Sequence, residues 1–570
     1  MRYFALACDY DGTIAGDGRV SETTIAALER LRASGRKLIL VTGRELDELL
    51  GIFPRIDLFE RVVAENGALL YCPTTRGEKL LGERPPEEFV NLLSQRGVGP
   101  ISVGRVIVAT WHPHENVVLE TIRDLGLELQ VIFNKGAVMV LPSGVNKATG
   151  LTAALGELSI SPHNTVAVGD AENDHAFLAL CECAVAVANA LPTLKDRADL
   201  VTAGDHGTGV IELIDRMTAD DLGDLASRLT RHDIALGVDS GDHELRLKAW
   251  GTNLLLAGSS QGGKTTLTTG LIERLTECKY QLCVIDPEGD YAGLEGAVTL
   301  GDADRAPRPE EVLELLARPE QNVIINLLGL SLEHRPPFFI ELFPRIQELR
   351  ARTGHPHWLV VDEAHHLLPA SWTPAQLTLP QGITGLMMIT VQPDFVAPAV
   401  LSVVDTLIAI GEAPERTIRL FCEAVGETPP ATEPVTLNPG EGLLWVRQSG
   451  ASPVWFRSIP PSGERRRHHR KYAEGELAPE LSFYFKGPEG KLNLRAQNLI
   501  IFLQMADGVD DETWLHHLRG GEYSRWFRDV IKDEELAEEA EQVERMPRAR
   551  AEETRALIRE AIERRYTAPV

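Results

Sequence analysis

Asp9 and Asp11, two carboxylates two residues apart in the run Asp9-Tyr10-Asp11-Gly12-Thr13, are the first residues of the chain whose types and spacing suit chemistry. Further along come Thr42-Gly43-Arg44, then Lys147 in Ser143-Gly144-Val145-Asn146-Lys147, then Gly169-Asp170-Ala171-Glu172-Asn173-Asp174. Taken singly, each has an ordinary structural reading: an acidic turn, a helix cap at Thr42, a solvated lysine at Lys147. Four such clusters in this order are hard to obtain by accident. A small hydroxyl and a glycine opening a helix would bind phosphate through free amides.

The positioning elements are legible as well. Residues 3–8, Lys37–Val41 and residues 165–168 read as buried strands, so the acidic and hydroxyl clusters fall at strand ends, and Lys147 falls at a helix start. Both carboxylates of the first run can then face a pocket at the carboxyl edge of a parallel sheet, with Gly12 allowing the sharp turn there.

Together these runs resemble the haloacid dehalogenase superfamily of phosphatases, whose pattern is Asp-x-Asp-Gly-Thr, a Thr or Ser, a Lys, and Gly-Asp-x-x-Asn-Asp. The resemblance covers about residues 1 to 215. It implies that Asp9 takes the phosphoryl group as an aspartyl phosphate, and that Asp11 protonates the leaving alcohol and then activates water. It further implies Mg2+ between Asp9, the main-chain carbonyl of Asp11 and Asp170, with Asn173 and Asp174 supporting that shell. Thr42 and Lys147 would hold the phosphoryl oxygens. The superfamily also contains mutases and dehalogenases; Asp11 and Lys147 favour phosphoryl chemistry over dehalogenation.

Residues 71–141 carry two strand-like runs, 105–110 and 129–133, between helical stretches. This is the place and size of a small α/β cap, as in the branch containing sugar-phosphate phosphatases and archaeal phosphoglycolate phosphatases. A cap chooses the substrate, here expected to be a small phosphorylated metabolite. Arg105, His112 and His114 are its candidate contacts, each equally readable as a surface residue.

A second phosphate motif follows an apolar strand at 253–257. The run Gly258-Ser259-Ser260-Gln261-Gly262-Gly263-Lys264-Thr265, continuing into Thr266, is a Gly-x-x-x-x-Gly-Lys-Thr loop between a strand and an amphipathic helix. Gly258, Gly262 and Gly263 let backbone amides wrap the phosphates of ATP, Lys264 reaches the terminal phosphates, and Thr265 binds Mg2+. The strand Trp358–Val361 carries Asp362 and Glu363, the first to hold the magnesium shell and the second to polarise the attacking water. A strand at 386–391 ends at Gln392, placed to sense the terminal phosphate.

With the loop Asp286-Pro287-Glu288-Gly289-Asp290-Tyr291 and the run Asp362-Glu363-Ala364-His365, this region resembles the HerA-FtsK group of ATPases over about residues 235 to 460. Members of that group form rings in which an arginine from one subunit completes its neighbour's site. Arg416 and Arg419, just beyond the strand Thr406–Ile410, are candidates for that arginine or plain helix-surface residues. His365 and His366 read as pocket-edge or helix residues rather than metal ligands.

The expected fold class is therefore α/β. A Rossmann-like core with a small α/β cap spans 1–220 (cap about 71–141), a RecA-like P-loop domain spans 235–460, and a charged, mainly helical region spans 472–570, where 533–565 reads as exposed helices. At 570 residues the chain has room for several cores. No apolar run approaches the ~20 residues that span a bilayer, which excludes a membrane protein of the helical kind. The opening strand leaves no export signal, and seven scattered cysteines suit a reducing cytoplasm. A net charge of -26 works against nucleic-acid binding except through a local patch. The run Arg465-Arg466-Arg467-His468-His469-Arg470-Lys471 is that patch, read first as a solvated linker. The leading expectation is a phosphatase coupled to or controlled by an ATPase, with a homo-oligomeric ring available through the ATPase. The alternatives are a HerA-like ring motor on nucleic acid with an end-processing or nucleotide phosphatase, and a switch set by ATP occupancy.

Overall fold

A computed structural model describes residues 1–259, 262–371, 382–461, 477, 482–488, 490, 492–531, 533–546 and 550–566. The chain divides into two compact units, Met1–Ile459 and Pro460–Val570.

The first unit begins with an eight-stranded sheet in the order Leu200–Val201, Cys183–Ala186, Thr165–Gly169, Ala5–Asp9, Lys37–Val41, Arg61–Ala64, Leu69–Cys72, Gly77–Leu80. The first six strands run parallel and the last two close as antiparallel hairpins. Ala5–Asp9 and Thr165–Gly169 are buried along their whole length, which is why they read as continuous apolar runs rather than alternating ones. Asp9 is the last residue of its strand and lies level with Val41 of the neighbour. The chain runs first to one side of Ala5–Asp9 and returns later on the other, so the carboxyl end of that strand is the topological switch point where such sheets bind ligands. The helix expected to open at Gly43 begins only at Leu46, after Glu45, whose side chain does not cap it; Thr42 and Arg44 sit in the turn before it.

A separate four-stranded antiparallel sheet in the order Ser102–Val103, Val108–Trp111, Ala137–Pro142, Leu129–Asn134 lies in the segment expected to be the cap. The helices Glu87–Gln95 and Glu115–Asp124 supply Phe89, Leu93, Val118 and Ile122 to its core. The strand expected at 105–110 starts late, at Val108. The backbone N–H groups of Arg105, Val106 and Ile107 instead donate to the buried carboxylate of Glu65, at 2.8, 2.7 and 3.0 Å.

The other sheet of this unit has eleven strands: Glu244–Leu247, Ile234–Val238, Val454–Ser458, Glu441–Val446, Thr406–Ile410, Asn253–Gly258, Leu386–Thr390, Trp358–Val361, Leu282–Asp286, Asn322–Asn326, Ala297–Leu300. From Thr406–Ile410 onward the pairs are parallel.

The two large sheets meet at their amino edges. Glu182 and His163, just before Cys183–Ala186 and Thr165–Gly169, face Tyr280 and His357, just before Leu282–Asp286 and Trp358–Val361. Glu182 accepts from Tyr280 Oη at 3.1 Å, and His357 Nε2 lies 3.1 Å from Asn164 Oδ1. The carboxyl edges of the two sheets, which carry the motif residues, therefore point away from each other.

The second unit is a hairpin, Phe483–Phe485 with Leu494–Ala496, and helices Leu499–Gly508, Asp511–Arg519, Glu522–Trp526, Glu534–Glu544 and Ala551–Tyr566 around an aromatic core. Trp514 and Tyr523 stack at 4.5 Å, and Trp514 Nε1 donates to Thr554 Oγ1 at 2.9 Å. The last two helices are not exposed rods, as their charge suggested: Leu536, Ala540, Ile558 and Ile562 are buried in this core. Apolar residues at helical spacing outweigh the charged faces between them. The basic run 465–471 lies outside the described residues.

Candidate active site

At the carboxyl edge of the first sheet, Lys147 Nζ donates to Asp9 Oδ1 at 2.6 Å and to Asp174 Oδ1 at 2.6 Å, with all three residues buried. Lys147 reaches this point because its helix, Lys147–Leu158, starts in a capping box: Asn146 Oδ1 accepts from Ala148 N and Thr149 N, and Asn146 N donates to Thr149 Oγ1. That helix start is pressed against Gly67, whose φ is 106° and whose position has no room for a side chain, since a Cβ there would fall 1.9 Å from the Asn146 carbonyl oxygen.

Asp170 follows its strand and joins the group. Ligand atoms of Asp9, Asp170 and Asp174 all lie within 4.8 Å of one another. Thr13 Oγ1 is 3.2 Å from Asp9 Oδ2 and 3.4 Å from Asp170 Oδ1. Asp174 also accepts from the backbone N–H groups of Asp170 and Ala171 at 2.8 and 2.9 Å, so both its oxygens are engaged and it braces the loop. Asn173 turns its amide nitrogen to Asn66 Oδ1 at 2.9 Å, leaving Asn173 Oδ1 buried without a partner among the described residues. Burial, then the charge of Asp174, pushes the Asp9 carboxyl up to about 7, against the pull of Lys147. Burial likewise raises Asp170, opposed by Lys135.

This set fits a divalent cation on its own terms. Three carboxylates are crowded into one buried cluster, with oxygen donors only, and the strain on Asp9 and Asp170 is what a hard cation would relieve.

Thr42 is buried, and its Oγ1 accepts from Arg44 N at 3.1 Å, which leaves the hydroxyl hydrogen for another partner. Asp11 is turned onto Arg44: its two oxygens take bonds from Nε and Nη2 at 2.6 and 2.7 Å, while Arg44 also pairs with Glu48. Arg105 is held by Asp47 and Glu78, His112 by Glu115, and His114 by the Gly99 carbonyl, so none of the three faces the carboxylates. The cap residue that does is Lys135, to which no motif in the sequence points. Its Nζ lies 2.8 Å from Asp170 Oδ2 and 3.4 Å from the Asp11 carbonyl oxygen. Asn134-Lys135-Gly136 is an ordinary hairpin turn in sequence; the apolar run 137–141 after it was the available signal for the hairpin.

The second constellation lies at the carboxyl edge of the eleven-stranded sheet. Ser260 and Gln261 lie outside the described residues. Gly258 passes so close to the Thr406–Ile410 strand that a Cβ would meet the Ile410 carbonyl oxygen at 2.3 Å, and Gly263 has φ 87°. Lys264 Nζ donates to the carbonyls of Gly258 and Ser259 at 3.0 and 3.2 Å, and burial lowers its pKa. Thr265 and Thr266 lie in the first turn of the helix Lys264–Glu277, with Thr265 Oγ1 3.5 Å from Asp290 Oδ2. Burial, helped by Glu363, pushes Asp362 up to about 7. Glu363 has φ 41°, a left-handed conformation unusual for a residue with a side chain and the kind of strain that collects at functional sites. Its Oε2 lies 3.3 Å from His365 Nδ1. Asp286 is occupied in bracing its own loop, accepting from the N–H groups of Gly289, Asp290 and Tyr291. Gln392 is exposed after Leu386–Thr390, the strand between those of Gly258 and Asp362.

The family profile described as haloacid dehalogenase-like hydrolase matches residues 6–99 and 120–214. The chain is 33% identical over 221 residues to a phosphoglycolate phosphatase of Methanothermobacter thermautotrophicus, a match covering 37% of this chain and 97% of that protein. It is 30% identical over 228 residues to phosphoglycolate phosphatase 2 of Saccharolobus solfataricus, covering 38% of this chain and 94% of that protein. A crystal structure of a haloacid dehalogenase-like hydrolase from Bacteroides thetaiotaomicron aligns over 38% of this chain and 99% of its own, at 17% identity and a TM-score of 0.34. Matched at this identity over nearly the whole length of those relatives, the chain belongs, through its amino-terminal part, to the haloacid dehalogenase-like hydrolases.

Proposed function

We propose that residues 1–220 form a magnesium-dependent phosphomonoester hydrolase that works through an aspartyl phosphate on Asp9, with a cap that begins later than the expected residue 71, because Leu69–Cys72 and Gly77–Leu80 pair into the main sheet. The observation that carries this reading is the Lys147 ammonium bridging buried Asp9 and Asp174 beside Asp170. The names of the relatives support a small phosphorylated acid as substrate.

In this mechanism Asp9 attacks phosphorus, the ester P–O bond breaks, and Asp11 donates its proton to the departing alkoxide. Asp11 then takes a proton from the water that cleaves the aspartyl phosphate. Arg44 holds both Asp11 oxygens, so Asp11 must leave Arg44 to take this part. Lys147 and the Thr42 hydroxyl are placed to hold phosphoryl oxygens, and Thr13 keeps Asp9 oriented. Asp9, Asp170 and the Asp11 carbonyl would hold a magnesium ion, supplying the positive charge that lets carboxylates and phosphate share one pocket.

We further propose that residues 235–460 form a RecA-like ATPase that regulates the phosphatase, with 472–570 as a separate helical region. Gly258, Gly262, Gly263, Thr266 and Lys264 would cradle ATP, Thr265 and Asp362 its magnesium, Glu363 the attacking water and Gln392 the terminal phosphate. The order of strands at this edge and the raised carboxyls of Asp362 and Glu363 support that assignment. Opposed sites joined at their amino edges favour regulation over passing of an intermediate. Among the described residues no helix is long and apolar enough to cross a membrane, and the seven cysteines are free thiols, which suits a cytoplasmic protein.

The test is a screen of wild type and Asp9→Asn against phosphoglycolate, sugar phosphates, nucleotides and end-phosphorylated DNA, with and without magnesium. Turnover of a small ester that vanishes in Asp9→Asn is expected; no turnover of any ester would overturn the reading.

A further inference from the structure

The cap hairpin Leu129–Asn134 and Ala137–Pro142 turns at Lys135 and Gly136, with φ of 47° and 89°, and this turn carries the Lys135 ammonium to the catalytic edge. There it lies 2.8 Å from Asp170 Oδ2 and 3.4 Å from the Asp11 carbonyl oxygen. These are the two atoms expected to be committed to the cation in the working enzyme, so the ammonium then needs a different anion. Its side chain is 49% exposed, free to swing to one. Two other cap cations are paired away from this edge, Arg96 with Asp124 and Arg105 with Asp47.

The same hairpin lies close over the catalytic edge. Lys135 Nζ is 2.8 Å from where a side chain on Gly12 would begin, and Met139 Sδ is 3.8 Å from the corresponding point on Gly43. An anion that meets Lys135 there lies close to the phosphoryl site, so on a substrate it stands only a few bonds from the ester oxygen.

We propose that Lys135 reads a second anion on the substrate, a carboxylate a few bonds from the phosphate, and so selects small phosphorylated acids over neutral esters of the same size. This rests on the phosphatase reading and adds the residue that sets its specificity. A charge-assisted bond shielded by the cap changes binding by roughly 10- to 100-fold.

The test compares 3-phosphonopropionate with propylphosphonate, two non-hydrolysable ligands that differ by the carboxylate, by calorimetry in the presence of magnesium. Wild type is expected to prefer the acid by at least about tenfold. Lys135→Met, which keeps the aliphatic stem, should bring the two affinities together, and Lys135→Arg should retain most of the preference. The ratio of kcat/KM for phosphoglycolate to that for ethyl phosphate should fall by a similar factor in Lys135→Met. A Lys135→Met protein with the wild-type preference, or one that loses affinity for both ligands equally, overturns the assignment. Wild type that cleaves neither these esters nor any in the screen overturns the phosphatase reading instead.

Discussion

His163 stacks on Tyr280 with ring centroids 3.7 Å apart and planes 14° apart, joining the sheet of the hydrolase part to the eleven-stranded sheet. Around this pair the contact is polar and buried. Glu182 takes bonds from His163 Nδ1 at 2.6 Å and from Tyr280 Oη at 3.1 Å, and it pairs with Arg2. His357 Nδ1 accepts from Gln281 N at 2.8 Å, and His355 Nδ1 lies 2.6 Å from Gln281 Oε1.

This junction should weaken in mild acid. Burial holds the pKa values of His232, His355 and His357 below the ordinary histidine value, so these rings are neutral in the fold. Their contribution is complete above the unfolded value of about 6.5 and is lost as pH falls below it, because the unfolded chain then binds more protons. Glu182 is drawn down to about 2, mainly by His163 and Arg2 against burial, so its contribution persists until far lower pH. Thermal unfolding of the full chain should therefore begin at lower temperature at pH 5.5 than at pH 7.5. His357→Gln should flatten that dependence; an unchanged slope would remove the histidines from the account.

Local motifs were readable because strand-end chemistry is written in adjacent residues. Asp9, Thr42, Lys147 and Asp170 each stand at the end of an apolar run or at a cap, and the structure brings Asp9, Lys147 and Asp170 into one cluster. Lys135 and Glu65 were not readable, because nothing near them in sequence names their partners: Asp170 is 35 residues from Lys135, and the N–H groups that Glu65 holds are 40 or more away. Arg44 stood in plain view beside Thr42, yet its grip on Asp11 depends on how two strand ends align. The junction histidines are likewise scattered from 163 to 357, joined only by the docking of two sheet edges.

Asp9→Asn is expected to lower phosphatase turnover at least ~10³-fold, as loss of an essential nucleophile does. ATP hydrolysis should stay near wild type, since the two sites lie at opposite edges of their docked sheets. Parallel assays of both activities decide it, and retained phosphatase activity would exclude Asp9 as nucleophile.

Glu65→Gln should loosen the cap without touching the reacting groups. Glu65 Oε2 accepts from Val106 and Ile107, and Oε1 from Arg105. An amide can serve one side only, so a donor is left facing a donor, at a cost of about 1–3 kcal/mol. Hydrogen exchange should quicken at residues 105–107 first. Exchange at the wild-type rate there would show that the loop is held by something else.

Lys264→Ala and Glu363→Gln should fail differently. Lys264 now rests on the loop's own carbonyls, and its loss should weaken ATP binding. Glu363→Gln should bind ATP and stop hydrolysis, because on the ATPase reading it removes the carboxylate proposed to activate water. Nucleotide affinity and phosphate release, measured side by side, separate the two. Wild-type hydrolysis in both variants would end the ATPase reading.

The ATPase reading carries a further expectation, that the site is completed by an arginine from a second copy of the chain. Arg416 and Arg419 are both exposed on the helix Pro414–Val425, one strand-end away from the P-loop strand. Mixing Glu363→Gln chains with Arg416→Ala or Arg419→Ala chains tests this. A mixed assembly contains sites in which one subunit offers an intact Glu363 and its neighbour an intact arginine. Such an arginine is worth about 10³–10⁵ in rate, so even a minority of rescued sites should restore a readily measured signal over either variant alone. Sedimentation should show self-association under the same conditions. A monomer whose hydrolysis rate per chain does not change with protein concentration would remove the borrowed arginine and leave a self-contained switch, for which the polar junction at His163 and Tyr280 would be the remaining route between the two sites.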